Sequence, residues 1–237
     1  MASVPAFAPS RIATISRRSA LSRSTLLLQV RSDDSFHWLP GQHIRLAPPG
    51  APELAASYSI ASAPDPSFPG QFELAMSLSA TPELLAGLVP GRTLLVSEPR
   101  GAFVWEPAPG AALLLGIGTG IAPLRAMLQA ALRTAPVAPV GLLLGARTEE
   151  DVLFHDELAR LAERQPLFRF EPTLSRASEA WTGARGRVQD HLPRVVAAID
   201  AARFFVCGTK TMVHESVACL GRLGIDHTRI LSESHGA

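Results

Sequence analysis

Residues 113–128 read LLLGIGTGIAPLRAML and combine a short apolar run, three closely spaced glycines and an apolar-periodic segment. The run 113–115 predicts a buried strand, and the segment from Pro123 predicts a helix, because proline is tolerated in a helix's first turn. A glycine turn between a strand and a helix directs free N–H groups and the positive end of the helix dipole towards an anion. The stretch therefore favours a nucleotide phosphate site over its alternative, an ordinary strand-to-helix turn.

The glycine spacing differs from the dinucleotide-binding fingerprint G-x-G-x-x-G. Gly116, Gly118 and Gly120 alternate, and Ile121 stands where the third glycine of that fingerprint would be. The fingerprint also expects an acidic ligand for the ribose about 20 residues later, and the sequence has none there. The turn therefore indicates phosphate binding of a different type.

Composition excludes several classes of protein. The 237 residues include 22 basic and 21 acidic side chains, so a net charge of +1 gives no basis for binding nucleic acid or a membrane surface. The apolar runs are too short to span a bilayer, and no secretory signal is recognisable. Cys207 and Cys219 are the only cysteines, which excludes a four-cysteine iron–sulfur cluster and a disulfide framework. We expect a cytoplasmic protein, without a metal site and monomeric in preference to oligomeric.

The first half of the chain alternates short apolar segments with turns such as Pro40-Gly41 and Pro90-Gly91. This rhythm predicts an antiparallel barrel. One helix is expected at residues 82–88. The predicted strands are residues 11–16, 25–31, 43–46, 72–77 and 93–97.

From residue 111 onwards, strands and helices alternate, which predicts a parallel sheet with right-handed crossovers. A linker rich in proline, residues 106–110, separates this half from the first. We therefore predict two domains, 1–106 and 107–237. The predicted strands are residues 112–115, 140–144, 168–173 and 204–207, and the predicted helices are residues 123–133, 156–164, 188–191 and 211–223.

Five segments in a fixed order resemble the ferredoxin–NADP reductase superfamily over nearly the whole chain. The resemblance implies a flavin-binding antiparallel β-barrel followed by an α/β doubly wound NAD(P)-binding domain. It also implies an enzyme that passes hydride from NADPH or NADH to FAD and electrons on to a separate acceptor protein. The segments are PGQ at 40–42, YSIAS at 58–62, GIGTGIAPLR at 116–125, GAR at 145–147 with DVLF at 151–154 and EL at 157–158, and CGTKTM at 207–212.

On the flavin side, the resemblance implies that Tyr58 stacks on the flavin ring and that Ser59 lies near flavin N5. An aromatic face and a hydroxyl suit these roles. The alternatives are a tyrosine half-buried in the barrel core and a serine bonded to the backbone. The implied flavin-binding residues are Ser57, Tyr58, Ser59, Ile60, Ala61 and Ser62.

On the nucleotide side, Ser175-Arg176 resembles a pair that holds the 2′-phosphate of NADPH, and Arg147 adds charge. This favours NADPH over NADH, the alternative being that Arg176 is a solvated loop residue. Cys207 resembles a cysteine beside the nicotinamide, or is simply a small buried residue. The implied nucleotide-binding residues are Gly116, Gly118, Thr119, Gly120, Ile121, Ala122, Pro123, Arg147, Ser175, Arg176, Cys207, Gly208 and Met212.

The resemblance also brings Ser59, Cys207 and Glu233 together around flavin N5 and nicotinamide C4. A carboxylate there would stabilise the positive charge that nicotinamide gains as hydride leaves. The alternative for Glu233 is an exposed residue in a fraying tail. His235 stands where the family often has a terminal aromatic ring, and we expect it to be exposed and without a role.

Two departures weaken the flavin phosphate site. Ala56 replaces the arginine that begins the family's flavin segment, and residues 77–86 lack the glycine of a second phosphate segment and add Glu83. We expect weak binding of FAD, with FMN possible and with Arg92 or Arg100 as substitute cations. Three functions stay open: a reductase with bound FAD, an NAD(P)H:flavin reductase that uses free flavin as substrate, and a non-catalytic nucleotide-binding subunit.

Overall fold

A computed structural model describes residues 7–33, 35–79, 87–133 and 138–235, and within them two six-stranded sheets. The first sheet has the order β4-β3-β6-β1-β2-β5, and all of its pairs are antiparallel. A bridge between Ile60 and Leu74 joins the end of β4 to β5, so the sheet closes into a barrel. Its strands are β1 (Arg11–Ser22), β2 (Thr25–Arg31), β3 (His43–Ala47), β4 (Ala56–Ser59), β5 (Gln71–Ser77) and β6 (Thr93–Val96).

The second sheet is parallel throughout, in the order β10-β9-β8-β7-β11-β12. Its strands are β7 (Ala112–Ile117), β8 (Val140–Ala146), β9 (Phe168–Leu174), β10 (Ala184–Arg185), β11 (Arg203–Thr209) and β12 (Ile230–His235). The helices are α1 (Ile121–Arg133), α2 (His155–Arg164), α3 (Val188–Ile199) and α4 (Lys210–Arg222). The predicted fold class is confirmed.

Alternate residues of β7 enter different cores. Leu114 packs with α1 and α2 in one cluster, while Leu113 and Leu115 pack with α3 and α4 in another. A parallel strand covered on both faces is continuously apolar, which is why this segment carries no polar alternation. The barrel encloses a separate cluster that includes Ile15, Leu28, Ile44 and Phe72.

Most of the predicted elements are present, with shifted ends. β1 runs on to Ser22, and α3 continues past Pro193 to Ile199. Strands β4, β10 and β12 were not predicted. The helix predicted at 82–88 and most of the second phosphate segment fall outside the described residues, except for residues 77–79, 87 and 88. Within the described part of the chain, no helix combines the length and apolar character needed to cross a membrane.

Arg125 of α1 ties the parallel sheet to the barrel. Its guanidinium donates to the Ala61 carbonyl oxygen at 2.7 Å and to Glu73 Oε2 on β5 at 2.7 Å. It also forms a two-pronged contact with Glu157 of α2, at 2.8 and 2.9 Å, and stacks 4.4 Å above the Phe154 ring. The Arg125 side chain is only 8% exposed, so the two sheets meet through a buried charge whose partners are all supplied by the protein.

Candidate active site

The glycine turn lies at the carboxyl end of β7. A single turn of 3-10 helix, Gly118–Gly120, joins β7 to α1. Gly118 has a φ of +51°, and a Cβ built on it would meet nothing within 4 Å, so the turn faces open space. A Cβ on Gly120 would lie 2.4 Å from the Cys207 carbonyl oxygen, so glycine is required for the turn to pack on β11. A helix N-terminus that follows such a turn is suited to bind an anion, as the sequence predicted.

Of the other residues predicted to bind the nucleotide, Gly208 and Met212 lie beside this turn. Gly208 packs against Ile117, and a Cβ there would lie 2.8 Å from the Ile117 side chain; Met212, in the first turn of α4, is buried beside it. Arg176 N donates to the Arg147 carbonyl oxygen at 2.8 Å, so the loops after β8 and β9 run together. The side chains of Arg147, Ser175 and Arg176 are exposed at this edge, where a ligand can reach them.

The predicted flavin segment divides into two parts. Ser57 is exposed, and Tyr58 is half-buried with one side against the barrel core. Ile60 and Ala61 are fully buried, and Ser62 bonds through its hydroxyl to Glu73 N and through its carbonyl to Trp38 Nε1. The accessible side chains on this segment are therefore those of Ser57 and Tyr58, while Ser59 is buried and contacts Glu233 of the parallel sheet.

The phosphate end of this segment carries no arginine on β4 itself. Ala56 pairs with Leu46, and the neighbouring pair brings Arg45 of β3 opposite Ser57. The Arg45 guanidinium donates to the Ala55 carbonyl oxygen at 3.3 Å, so a positive charge lies one strand away from Ala56. Arg92 and Arg100 are exposed, in line with solvated turn residues. The ring end of the segment fits a flavin better than its phosphate end does.

Five polar side chains meet where the barrel touches the parallel sheet, and we call them the polar cluster: His43, Ser59, Cys207, Glu233 and His235. Ser59 Oγ donates to Glu233 Oε1 at 3.4 Å. Cys207 Sγ lies 2.9 Å from His235 Nε2. His43 Nδ1 lies 3.9 Å from Glu233 Oε2. The structure thus brings together Ser59, Cys207 and Glu233, the three residues predicted for the hydride step.

Strand register places these side chains. β11 and β12 run parallel with Cys207 beside Glu233, and His235 follows two residues later on the same face. β3 and β4 are antiparallel with His43 opposite Ser59, so those side chains share a face of the barrel. The pair His43 and Ser59 on the barrel therefore meets the pair Cys207 and Glu233 on the parallel sheet.

Burial shifts the pKa values of four side chains in the cluster. Burial raises the pKa of the Cys207 thiol well above its usual value, and the nearby Glu233 charge raises it further. Burial also raises the pKa of Glu233, against a smaller lowering by the Ser59 hydrogen bond. Burial lowers the pKa of His43, helped by the Arg100 charge, and that of His235, helped by His43. The raised pKa favours the neutral thiol form of Cys207 when no metal is bound.

Two features of this cluster differ from the sequence interpretation. The expectation of an exposed His235 is wrong, because its side chain is only 30% exposed and contacts Cys207. The fraying-tail alternative for Glu233 is also wrong, since Glu233 sits within β12 and is 22% exposed. Sequence reasoning missed His43, although its position directly after PGQ at the start of a strand was a signal that could have found it.

Comparison with known proteins decides the family. Residues 114–217 match the family model for the oxidoreductase NAD-binding domain. Ferredoxin–NADP reductase B of Sorangium cellulosum is 40% identical over 190 residues, which are 76% of this chain and 77% of that protein. The chain belongs to the ferredoxin–NADP reductase family. The predicted resemblance and oxidoreductase class are confirmed.

Two further similar proteins have lower sequence identity to this chain. The electron transfer component of anthranilate 1,2-dioxygenase from Acinetobacter baylyi is 29% identical over 220 residues, covering 90% of this chain and 63% of that protein. A ferredoxin–NADP reductase structure from Neisseria gonorrhoeae, with bound FAD and NADP, superimposes with a TM-score of 0.80 at 25% identity, covering 94% of this chain and 97% of that one.

Proposed function

We propose that this reductase family member oxidises NAD(P)H with FAD on the barrel and passes the electrons to a separate acceptor protein. The contact between Ser59 of β4 and Glu233 of β12 carries the proposal, because it joins the flavin segment to the nucleotide edge of the parallel sheet. We also propose the division into a flavin domain, 1–106, and a nucleotide domain, 107–237. Its support is that all barrel strands end by Val96 and all parallel strands begin at or after Ala112.

The residues have distinct roles in this proposal. FAD, when bound, supplies the chemistry that accepts hydride from NAD(P)H and releases electrons onward. Tyr58 offers a ring face for stacking, and Ser59 offers a hydroxyl at the reacting edge. The Cys207 thiol limits how closely the two rings approach, a distance on which rate depends steeply. Glu233 places negative charge where the nicotinamide becomes positive.

The acceptor is proposed to be a protein because one relative is named as the electron transfer component of a dioxygenase. Ala56 favours a second candidate, in which free flavin is the substrate and leaves after reduction. The visible spectrum of the purified protein separates these. A yellow protein supports bound FAD. A colourless protein that oxidises NAD(P)H only with added flavin supports a flavin reductase, and one that stays inert with flavin rejects both.

Ala56→Arg is expected to tighten FAD binding. A charge-assisted contact with phosphate contributes about 1.5–3 kcal/mol, so the FAD dissociation constant should fall about tenfold to a hundredfold. FMN should gain less, since its phosphate bridge is shorter. Fluorescence titration with each flavin measures the effect, with Ala51→Arg as a control for added charge. An unchanged FAD dissociation constant would contradict the proposed alignment of this segment with the family's flavin segment.

Arg176→Ala is expected to lower kcat/KM for NADPH by about tenfold or more, because a charged contact with the 2′-phosphate is lost. The value for NADH should change little. Steady-state kinetics with both coenzymes test this, with Arg169→Ala at the other end of β9 as the control. A preference for NADH that is insensitive to Arg176→Ala would reverse the assignment to NADPH.

We further propose that the protein works in a reducing compartment such as the cytoplasm. The support is that Cys207 and Cys219 are both free thiols.

A further inference from the structure

Three members of the polar cluster are side chains of the kinds that bind transition metals. Cys207, Glu233 and His235 provide a thiol, a carboxylate and an imidazole, and one donor atom from each lies within 4.8 Å of the others. Cys207 is fully buried, while Glu233 and His235 are 22% and 30% exposed. The set is therefore largely shielded from water and open on one side.

Sulfur, nitrogen and oxygen together are the donors that tetrahedral Zn²⁺ takes in proteins. Zinc bonds of about 2.0–2.3 Å would separate the donors by about 3.3–3.8 Å. Cys207 Sγ lies 2.9 Å from His235 Nε2, and one donor atom from each of the three residues lies within 4.8 Å of the other two. Side-chain movements of about 1 Å bring these separations to the values that zinc requires.

Two further residues of the cluster lie beside the carboxylate. Ser59 Oγ contacts Glu233 Oε1 at 3.4 Å, and His43 Nδ1 lies 3.9 Å from Oε2. Outer partners of this kind orient a metal ligand and raise its affinity. They come from the barrel, so the site needs both sheets to be in contact.

We propose that Cys207, Glu233 and His235 form a reversible Zn²⁺ site with an open fourth position. On binding, the Cys207 S–H bond breaks, an S–Zn bond forms and the proton leaves to solvent, with no change in oxidation state. Three protein ligands leave the fourth place to water, as in exchangeable sites. If the proposed function is right, Zn²⁺ and the nicotinamide compete for the same space, and zinc inhibits competitively with NAD(P)H.

Cobalt titration of the chelator-treated full chain tests the site without any coenzyme. Co²⁺ bound to a thiolate gives a charge-transfer band in the near ultraviolet, and a difference spectrum against the metal-free protein removes flavin absorption. We expect saturation at one equivalent, and loss of the band when one equivalent of Zn²⁺ is added.

Matched variants locate the ligands. Cys207→Ser should abolish the charge-transfer band, and His235→Ala should weaken metal affinity by more than about 100-fold, because removal of outer partners alone costs about 10- to 100-fold. Cys219→Ser and His227→Ala, which change the second cysteine and an exposed histidine, should bind as the unchanged chain does.

Three results would overturn the site: no band at saturating Co²⁺, a band that survives Cys207→Ser, or a band lost in Cys219→Ser. Because the titration measures metal alone, its outcome is independent of reductase activity. An active reductase without the band rejects the zinc site only, and a band in an inactive protein rejects the proposed function only.

Discussion

Arg125→Met is expected to lower the free energy of unfolding by about 3 kcal/mol. The substitution removes the cation that pairs with Glu73 and Glu157, and it removes the donor to the Ala61 carbonyl oxygen. Removing one partner of a buried ion pair costs about 3–5 kcal/mol, and the lower end applies because the Glu157 side chain is 41% exposed and can be hydrated. Arg125→Lys should recover only part of the loss, since an ammonium cannot reproduce the two-pronged contact.

Thermal unfolding of the ligand-free protein measures this effect. For a chain of this size the melting temperature should fall by roughly 6–12 °C. Arg160→Met is the matched control, because Arg160 lies on the surface of α2 with its side chain 68% exposed and only a 4.0 Å contact to Asp156. A loss below about 1 kcal/mol for Arg125→Met, or an equal loss for Arg160→Met, would show that this contact does not hold the two sheets together.

Glu233→Gln is expected to slow hydride transfer by about 100-fold while leaving coenzyme affinity nearly unchanged. The nicotinamide gains positive charge only as hydride leaves, so the carboxylate stabilises the transition state more than the bound ground state. Glutamine keeps the shape and the hydrogen bond to Ser59 but not the charge. Stopped-flow reduction of flavin across a range of NADPH concentrations separates the limiting rate from the apparent affinity.

Two further variants serve as a second test and as a control for that experiment. Ser59→Ala removes the hydroxyl that contacts Glu233, and it should also lower the limiting rate. Glu163→Gln, an exposed residue of α2, should behave as the unchanged chain does. If Glu233→Gln and Ser59→Ala both reduce flavin at the normal rate, the polar cluster is not the place where hydride passes.

The core of each sheet was predictable from local sequence. The run of leucines in β7 has no polar alternation because both faces are covered, and the glycine turn that follows must be glycine where Gly120 meets β11. These constraints act within a few residues, so the sequence displays them. The same holds for the amphipathic periods of α2 and α4.

Strands β4 and β12 escaped prediction because their formation depends on a partner. β12, with the sequence ILSESH, is half polar and is held by parallel pairing to β11 alone. β4 has the sequence ASYS and pairs along its length only with β3. β-propensity is a weak guide at such edges, where main-chain pairing rather than side-chain burial decides the strand.

The site was predicted in part, and for the same reason. Ser59, Cys207 and Glu233 were chosen from family motifs, and register then places them together. His235 lies at the cluster because β12 pairs with β11, and His43 because β3 pairs with β4; of the two, only His43 follows a sequence motif, PGQ, that could have indicated it. The roles of all these residues stay predictions.

Anaerobic mixing of the FAD-loaded protein with NADPH tests whether hydride passes from the coenzyme to the flavin. We expect a single-turnover loss of the oxidised flavin absorption, slower when the transferred hydrogen of NADPH is replaced by deuterium. We also expect an added electron acceptor to restore that absorption. Flavin that binds to the protein but stays oxidised in the presence of saturating NADPH and NADH would contradict the proposed reductase function.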